Sequence, residues 1–164
     1  MMERLNAIVR HPLYIQYYED LKEAERTRIF CCHQMEHLLD VARIAYIRNL
    51  EEDLKIDKEL LYTAAILHDI GKSLQYREHI PHEIAGARIA EEILDTLPEG
   101  FCYTAEEKEE ILTAIRGHRR EREDMTTLER LLYECDKKSR NCFACPAEKE
   151  CNWGNEKKNR EIEL

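Results

Sequence analysis

The twelve residues KELLYTAAILHD, Lys58 to Asp69, constrain this chain more than any other stretch. Their apolar side chains fall around nearly the whole helix they would form, and a helix without a polar face belongs inside a protein. Asp57 stands where an N-cap is needed, and Gly71 is placed to end the helix. Yet the segment closes on His68 and Asp69, two ionisable groups. Consecutive residues diverge by about 100 degrees around a helix, so both can reach one centre only where the helix ends beside it. Packing gives no reason for such a pair at the end of a buried helix, whereas a function does.

The rest of the chain reads as helix as well. Apolar residues recur at helical spacing almost throughout, and five glycines and four prolines are too few to break that pattern often. Pro12 suits the first turn of a helix carrying Leu13, Ile15, Tyr17 and Leu21. A longer helix is expected from about Cys32 to Glu52 through Leu38, Val41, Ala45 and Ile47, and another opens at Pro81 and runs through Ile84, Ile89 and Leu94. Thr104 with Glu107, and Thr126 with Glu129, have the spacing of capping boxes that begin two more. Beyond Arg140 the periodicity stops. We therefore expect an all-α bundle over residues 1–140, followed at 141–164 by a short Cys-rich extension with a charged tail.

A chain of 164 residues fits one such domain with a real core. The net charge of -9 argues against nucleic acid or an anionic membrane as partner, because both require a surplus of Lys and Arg. A small phosphate ester could still bind where metal ions cancel the local charge. No apolar run reaches spanning length, and MMERLNAIVRHPLY lacks the basic start and apolar stretch of an export signal, so a cytoplasmic protein is expected. Seven cysteines, an odd number, then point to thiols or metal ligands rather than a disulfide framework. Nothing in the sequence specifies the oligomeric state.

HQMEH, residues 33–37, has the H-x-x-E-H spacing of a zinc peptidase, with His33 and His37 as ligands and Glu36 as the base. That reading supplies no clear third ligand and leaves the other histidines without work. Taken together they form a different pattern. His37 precedes a helical run, His68 and Asp69 end a buried helix, His82 opens a helix, His118 closes one, and Asp136 lies in YECDKKSR. Imidazoles and carboxylates at the ends of several helices are what a two-metal site in a bundle requires, with one carboxylate shared. His33 fits no ligand slot and is expected to line the pocket; His79 is expected in a loop and His11 at a helix start.

This order of residues resembles the HD-domain metal-dependent phosphohydrolases, whose pattern is a His, a His-Asp doublet and a distant Asp, with two added histidines in the two-metal subgroup. HLLDVARIA, HDIGK, HEIAGA, AIRGH and CDKKSR match each position, over about Cys32 to Arg140. It looks closest to the bacterial subgroup that hydrolyses dinucleoside tetraphosphates symmetrically. HRRERED departs from that subgroup, which usually has a Thr or similar polar residue after the His, and this bears on the nucleotide pocket.

The resemblance implies that His37, His68, Asp69 and Asp136 hold one divalent ion (iron, manganese or similar), and that Asp69, His82 and His118 hold the other. Asp69 would bridge them, and a metal-bound hydroxide would attack a nucleotide or related phosphate ester. Lys72 and Arg140 are then the candidates for gripping phosphate, with Lys72 and Asp69 the residues nearest the reaction and His33 beside them. Arg116, Arg119 and Arg120 flank His118 and are further candidates.

CDKKSRNCFACPAEKECNW places Cys135, Cys142, Cys145 and Cys151 close together in sequence, which suits a zinc ion or an iron–sulfur cluster that would order a segment too short to form a core. Cys135 can instead face the core, and Cys102, Cys31 or Cys32 could then supply the fourth ligand through space. These cysteines also support the main alternative to an enzyme, a regulatory metal-binding or redox-sensing module on the same fold.

Overall fold

A computed structural model describes residues 1–162, and Glu163 and Leu164 at the end of the expected charged tail lie outside the described residues. The fold is all-helical: α1 (Glu3–Val9), α2 (Pro12–Ala24), α3 (Met35–Glu51), α4 (Lys58–Leu67), α5 (Lys72–Glu78), α6 (His82–Asp95), α7 (Ala105–Gly117) and α8 (Thr127–Lys138). Among the described residues the extension carries only 3-10 turns, at Cys142–Ala144 and Asn155–Lys157. Among the described residues no helix is long and apolar enough to cross a membrane.

Helix α4 lies inside the bundle, as its composition requires. Leu60, Leu61, Thr63, Ala64, Ala65, Ile66 and Leu67 are all buried, and α1, α3, α7 and α8 pack against it. Asp57 caps it by accepting a hydrogen bond from the Leu60 amide. Both capping boxes form, Thr104 with Glu107 at the start of α7 and Thr126 with Glu129 at the start of α8. Polar ties join the layers at their edges: Arg4 of α1 donates to Glu59 and Glu107, while Thr63 and the Tyr103 hydroxyl bond inside the core.

Several expectations are corrected. Helix α3 begins at Met35 rather than Cys32, because Cys32 and His33 run as irregular chain into Gln34, its N-cap. Ile15, Ile47 and Ile84 are exposed rather than core. Each lies off the buried stripe, which follows Tyr14 and Leu21 on α2, Val41 and Ala45 on α3, and Ile89 and Ile93 on α6. Helices α1 and α5 were not expected.

Gly71 has a different role from the one its position implied. Its φ of -76° is ordinary helical backbone, so it is no left-handed helix stop. A Cβ there would lie 2.2 Å from the His82 carbonyl oxygen and 2.4 Å from the Gly86 amide nitrogen. Glycine is needed because the backbone of α6 passes directly against this turn. That contact carries His82 up to the end of α4.

Candidate metal centre

Five helix ends meet beside this turn. His37 comes from the first turn of α3, His68 caps the C-terminus of α4, His82 opens α6, His118 caps the C-terminus of α7, and Asp136 lies in the last turn of α8. Asp69 follows His68, is 2% exposed, and sits between the others. Its Oδ2 lies 3.5 Å from His37 Nε2 and 3.2 Å from His68 Nε2. Its Oδ1 lies 3.4 Å from His82 Nε2 and 3.7 Å from His118 Nε2. Asp136 Oδ1 completes the first side, 3.2 Å from His37 Nε2. The result is two groups whose ligand atoms lie within 4.8 Å of one another: His37, His68, Asp69 and Asp136, and Asp69, His82 and His118.

The other nitrogen of each imidazole decides what it can bind. His68 Nδ1 donates to the Ala65 carbonyl at 2.6 Å and His118 Nδ1 to the Ile115 carbonyl at 2.6 Å, each one turn back along its own helix. His82 Nδ1 donates to Gln75 Oε1. Ser139 Oγ gives its proton to the Asp136 carbonyl, so it accepts from His37 Nδ1 at 3.0 Å. All four rings therefore carry a proton on Nδ1 and turn Nε2 inward, the arrangement in which outer partners orient metal-binding histidines.

The fit to a cation follows. His82 and His118 face each other Nε2 to Nε2 at 3.1 Å. With both Nδ1 protons already committed, neutral rings bring two lone pairs together, which is unfavourable unless a cation lies between them. On the other side the Arg140 guanidinium reaches His37 Nε2 and Asp136 Oδ1, each at 3.0 Å, so a positive group already rests against that pair. His68 Nε2 is buried without a well-aligned hydrogen bond despite the nearby Asp69 oxygen.

The charges of the centre are strongly coupled. Burial opposes a proton on His68, but Asp69 and Asp136 outweigh it and raise its pKa to about 10. Burial dominates at His82 and pushes it down to about 2. Burial would raise Asp69 and Asp136, yet His68 and Lys72 beside the first, and His37 and His68 beside the second, hold both carboxylates well below the usual range.

Around the centre, Lys72 Nζ stands 3.9 Å from Asp69 Oδ1 at the start of α5, and it lines a cavity of 460 Å³ together with His33 and Arg140. His33 is buried and is held through Nδ1 by Glu25, which also accepts from the Tyr76 hydroxyl. The peptidase geometry does not form, because His33 precedes α3 and does not share a helix face with His37, while Glu36 is exposed. Arg116, Arg119 and Arg120 are exposed, and Arg119 pairs with Glu83 instead of entering the site.

Cys135 is corrected as well. It is fully buried in the core beside Arg48, where burial pushes its thiol up to about 12, and it does not line the cavity of Cys142, Cys145 and Cys151. The fourth cysteine there is Cys31. Cys102 is exposed, between α6 and α7.

Gln75, Ser139 and Glu25 carry no motif in the sequence that marks them as partners of the centre. Ser139 lies one turn after Asp136, a spacing that could have drawn attention to it, whereas Gln75 depends on the unexpected α5.

Comparison with known proteins agrees with this architecture. The family model described as HD domain matches residues 35–141. An uncharacterized protein of Clostridium beijerinckii is 48% identical over 161 residues, covering 98% of this chain and 99% of its own length. Ribonuclease Y of Petrotoga mobilis is 32% identical over 92 residues, 56% of this chain but only 15% of that enzyme's length. The crystal structure of a predicted HD superfamily hydrolase from an uncultured Thermotogales bacterium superposes with a TM-score of 0.62 at 22% identity, covering 91% of this chain and 83% of that one.

Proposed function

We propose, from the premise that this chain belongs to the HD domain family, that it is a phosphohydrolase dependent on two divalent metal ions. The observation that carries this reading is the division of one carboxylate: Asp69 turns Oδ2 to His37 and His68, and Oδ1 to His82 and His118. A shared carboxylate between two groups of mixed imidazole and carboxylate ligands suits divalent cations such as iron or manganese. Bound there, two such ions would neutralise phosphoryl oxygens and acidify a water at neutral pH.

The protein's own contribution is position and charge. Lys72, 14% exposed at its side chain, offers a point charge at the mouth of the centre. Arg140 has donors beyond those it spends on His37 and Asp136, and its Nε is buried without a partner, so it can turn toward a phosphate once a cation takes its place. His33, braced by Glu25, lines the same cavity and would contact a substrate bound there.

The substrate proposed is a small phosphate ester, a nucleotide or a dinucleoside polyphosphate. The net charge of -9 favours this over RNA as substrate, although 92 residues of this chain are similar to Ribonuclease Y of Petrotoga mobilis. The test is a screen of phosphorylated metabolites, dinucleoside polyphosphates and a short RNA with protein loaded with manganese, iron or cobalt. Turnover of a small ester that Asp69→Asn abolishes supports the reading. A folded, metal-loaded protein inert to every phosphate ester would instead favour a regulatory module.

A further inference from the structure

The cavity beside the metal centre has a second set of soft ligands. Cys31, Cys142, Cys145 and Cys151 all line it, and all four are free thiols of intermediate exposure. They come from two remote parts of the chain. Cys31 lies in the connection between α2 and α3, and the other three lie in the extension. Within the extension, local turns fold the backbone back on itself: the Cys145 amide donates to the Cys142 carbonyl at 3.3 Å, and the Cys151 amide to the Glu148 carbonyl at 3.4 Å. Burial raises the Cys31 thiol above its ordinary pKa, Arg140 opposes this, and Cys145, Cys142 and Cys151 are all close enough to raise it further.

We propose that Cys31, Cys142, Cys145 and Cys151 together bind an iron–sulfur cluster. Four thiolates are the ligand set of such clusters. The spacing leaves room for a cluster, whereas a single ion would require the sulfurs to close in. A tetrahedral zinc with Zn–S bonds of about 2.3 Å would hold its sulfurs about 3.8 Å apart. Among the described residues, no three of these sulfurs lie within 4.8 Å of one another. The same cavity has room for a larger inorganic core.

Charge agrees with this. Four thiolates and an iron–sulfur core carry net negative charge; Arg28, Lys72, Arg140 and Lys158 line the cavity against Glu148 and Glu150, and with Lys158 paired to Glu148 the cations still outnumber the carboxylates. Transfer of a cluster preassembled on a thiolate donor is a ligand exchange: four protein S–H bonds and four Fe–S bonds to the donor break, and four Fe–S bonds to the protein form. The four protons pass to the released donor thiolates, and no protein group changes oxidation state. The cluster would pin the extension to the α2–α3 connection and form one wall of the cavity that His33, Lys72 and Arg140 share.

The full chain, produced and purified without oxygen, tests this through acid-labile sulfide, which the histidine and carboxylate centre cannot supply. Sulfide at least stoichiometric with chain is expected, with iron-edge X-ray absorption showing sulfur neighbours and iron–iron scattering in the unaltered protein. Cys31→Ser and Cys145→Ser should each lose the sulfide, with helix content followed by circular dichroism. Cys102→Ser and Cys135→Ala should keep it. Asp69→Asn should also keep it while losing metal from the other centre, which separates this proposal from the phosphohydrolase reading. Zinc bound without sulfide, iron with only nitrogen and oxygen neighbours, or full sulfide retained in Cys31→Ser would each overturn it.

Discussion

The two ligand sets along this cavity are built in opposite ways. The histidine and carboxylate centre stands on helix ends locked by a buried core, and each imidazole has a fixed partner for its outer nitrogen. The cysteines stand on irregular chain, half-exposed, beside short 3-10 turns with no buried residue among them. The first set is arranged by folding itself. The second is close to arranged and depends on what it holds, as in segments where binding free energy serves as folding free energy. A site of the first kind can keep its geometry when emptied, and a site of the second kind loosens.

Metal removal should break or sharpen that contrast most. Exhaustive chelation is expected to lower turnover roughly 10³-fold, since the ions supply several kcal/mol of charge stabilisation and each 1.36 kcal/mol is about tenfold in rate. Far-UV circular dichroism should still report a folded bundle, and manganese should restore activity. The melting temperature should fall, because ions at about a hundred times their Kd stabilise the native state by roughly 2.7 kcal/mol. Loss of helix on chelation would show that the centre is not preformed.

Gly71→Ala comes next in size. Its Cβ would meet the α6 backbone at 2.2 Å, and backbone cannot rotate away as a flexible side chain can. Overpacking of this kind costs about 1–3 kcal/mol, read as a lower denaturant midpoint. Because His82 begins α6 at the point of contact, its metal affinity should fall too. A variant as stable as the parent would mean that α6 shifts without cost.

How much of this could be read in the sequence differs between the two sets for the same reason. His37, His68, Asp69, His82, His118 and Asp136 each mark a helix end, and helix ends leave strong local signals: caps, a breaker, an apolar run that stops. The structure brings these six together. Helix α5 carries no such signal. It is seven residues long with one buried side chain, Ser73, so no apolar stripe announces it or the place of Gln75 on it. Cys31 was readable only as one of several possible partners through space, because loop closure over more than a hundred residues leaves no periodicity. Cys135 misled because closeness in sequence to Cys142 counts for little once a helix turns its side chain into the core.

Gln75→Ala should have a more local effect than either change above. It removes the acceptor for His82 Nδ1–H and leaves the ligands in place. Outer partners of metal-bound histidines are typically worth about 10- to 100-fold in affinity or activity. Metal titration should show the loss confined to one of two ions, since His37 and His68 are oriented by Ser139 and Ala65 instead.

Asn159→Ala should have the smallest effect, and it addresses the other region alone. Asn159 Nδ2 lies 2.7 Å from the Lys137 carbonyl, 3.1 Å from that of Lys138 and 2.8 Å from that of Arg140, so one half-buried amide fastens the extension to the C-terminus of α8. Those carbonyls can turn to water when the amide is lost, so the cost should be about 1 kcal/mol, that of an ordinary hydrogen bond. Hydrogen exchange should quicken across residues 142–158 while α3, α4 and α7 keep their protection. If exchange in the bundle quickened equally, the extension would have to be a structural part of the core. The difference between a site made by packing and a site completed by its ligand would then disappear.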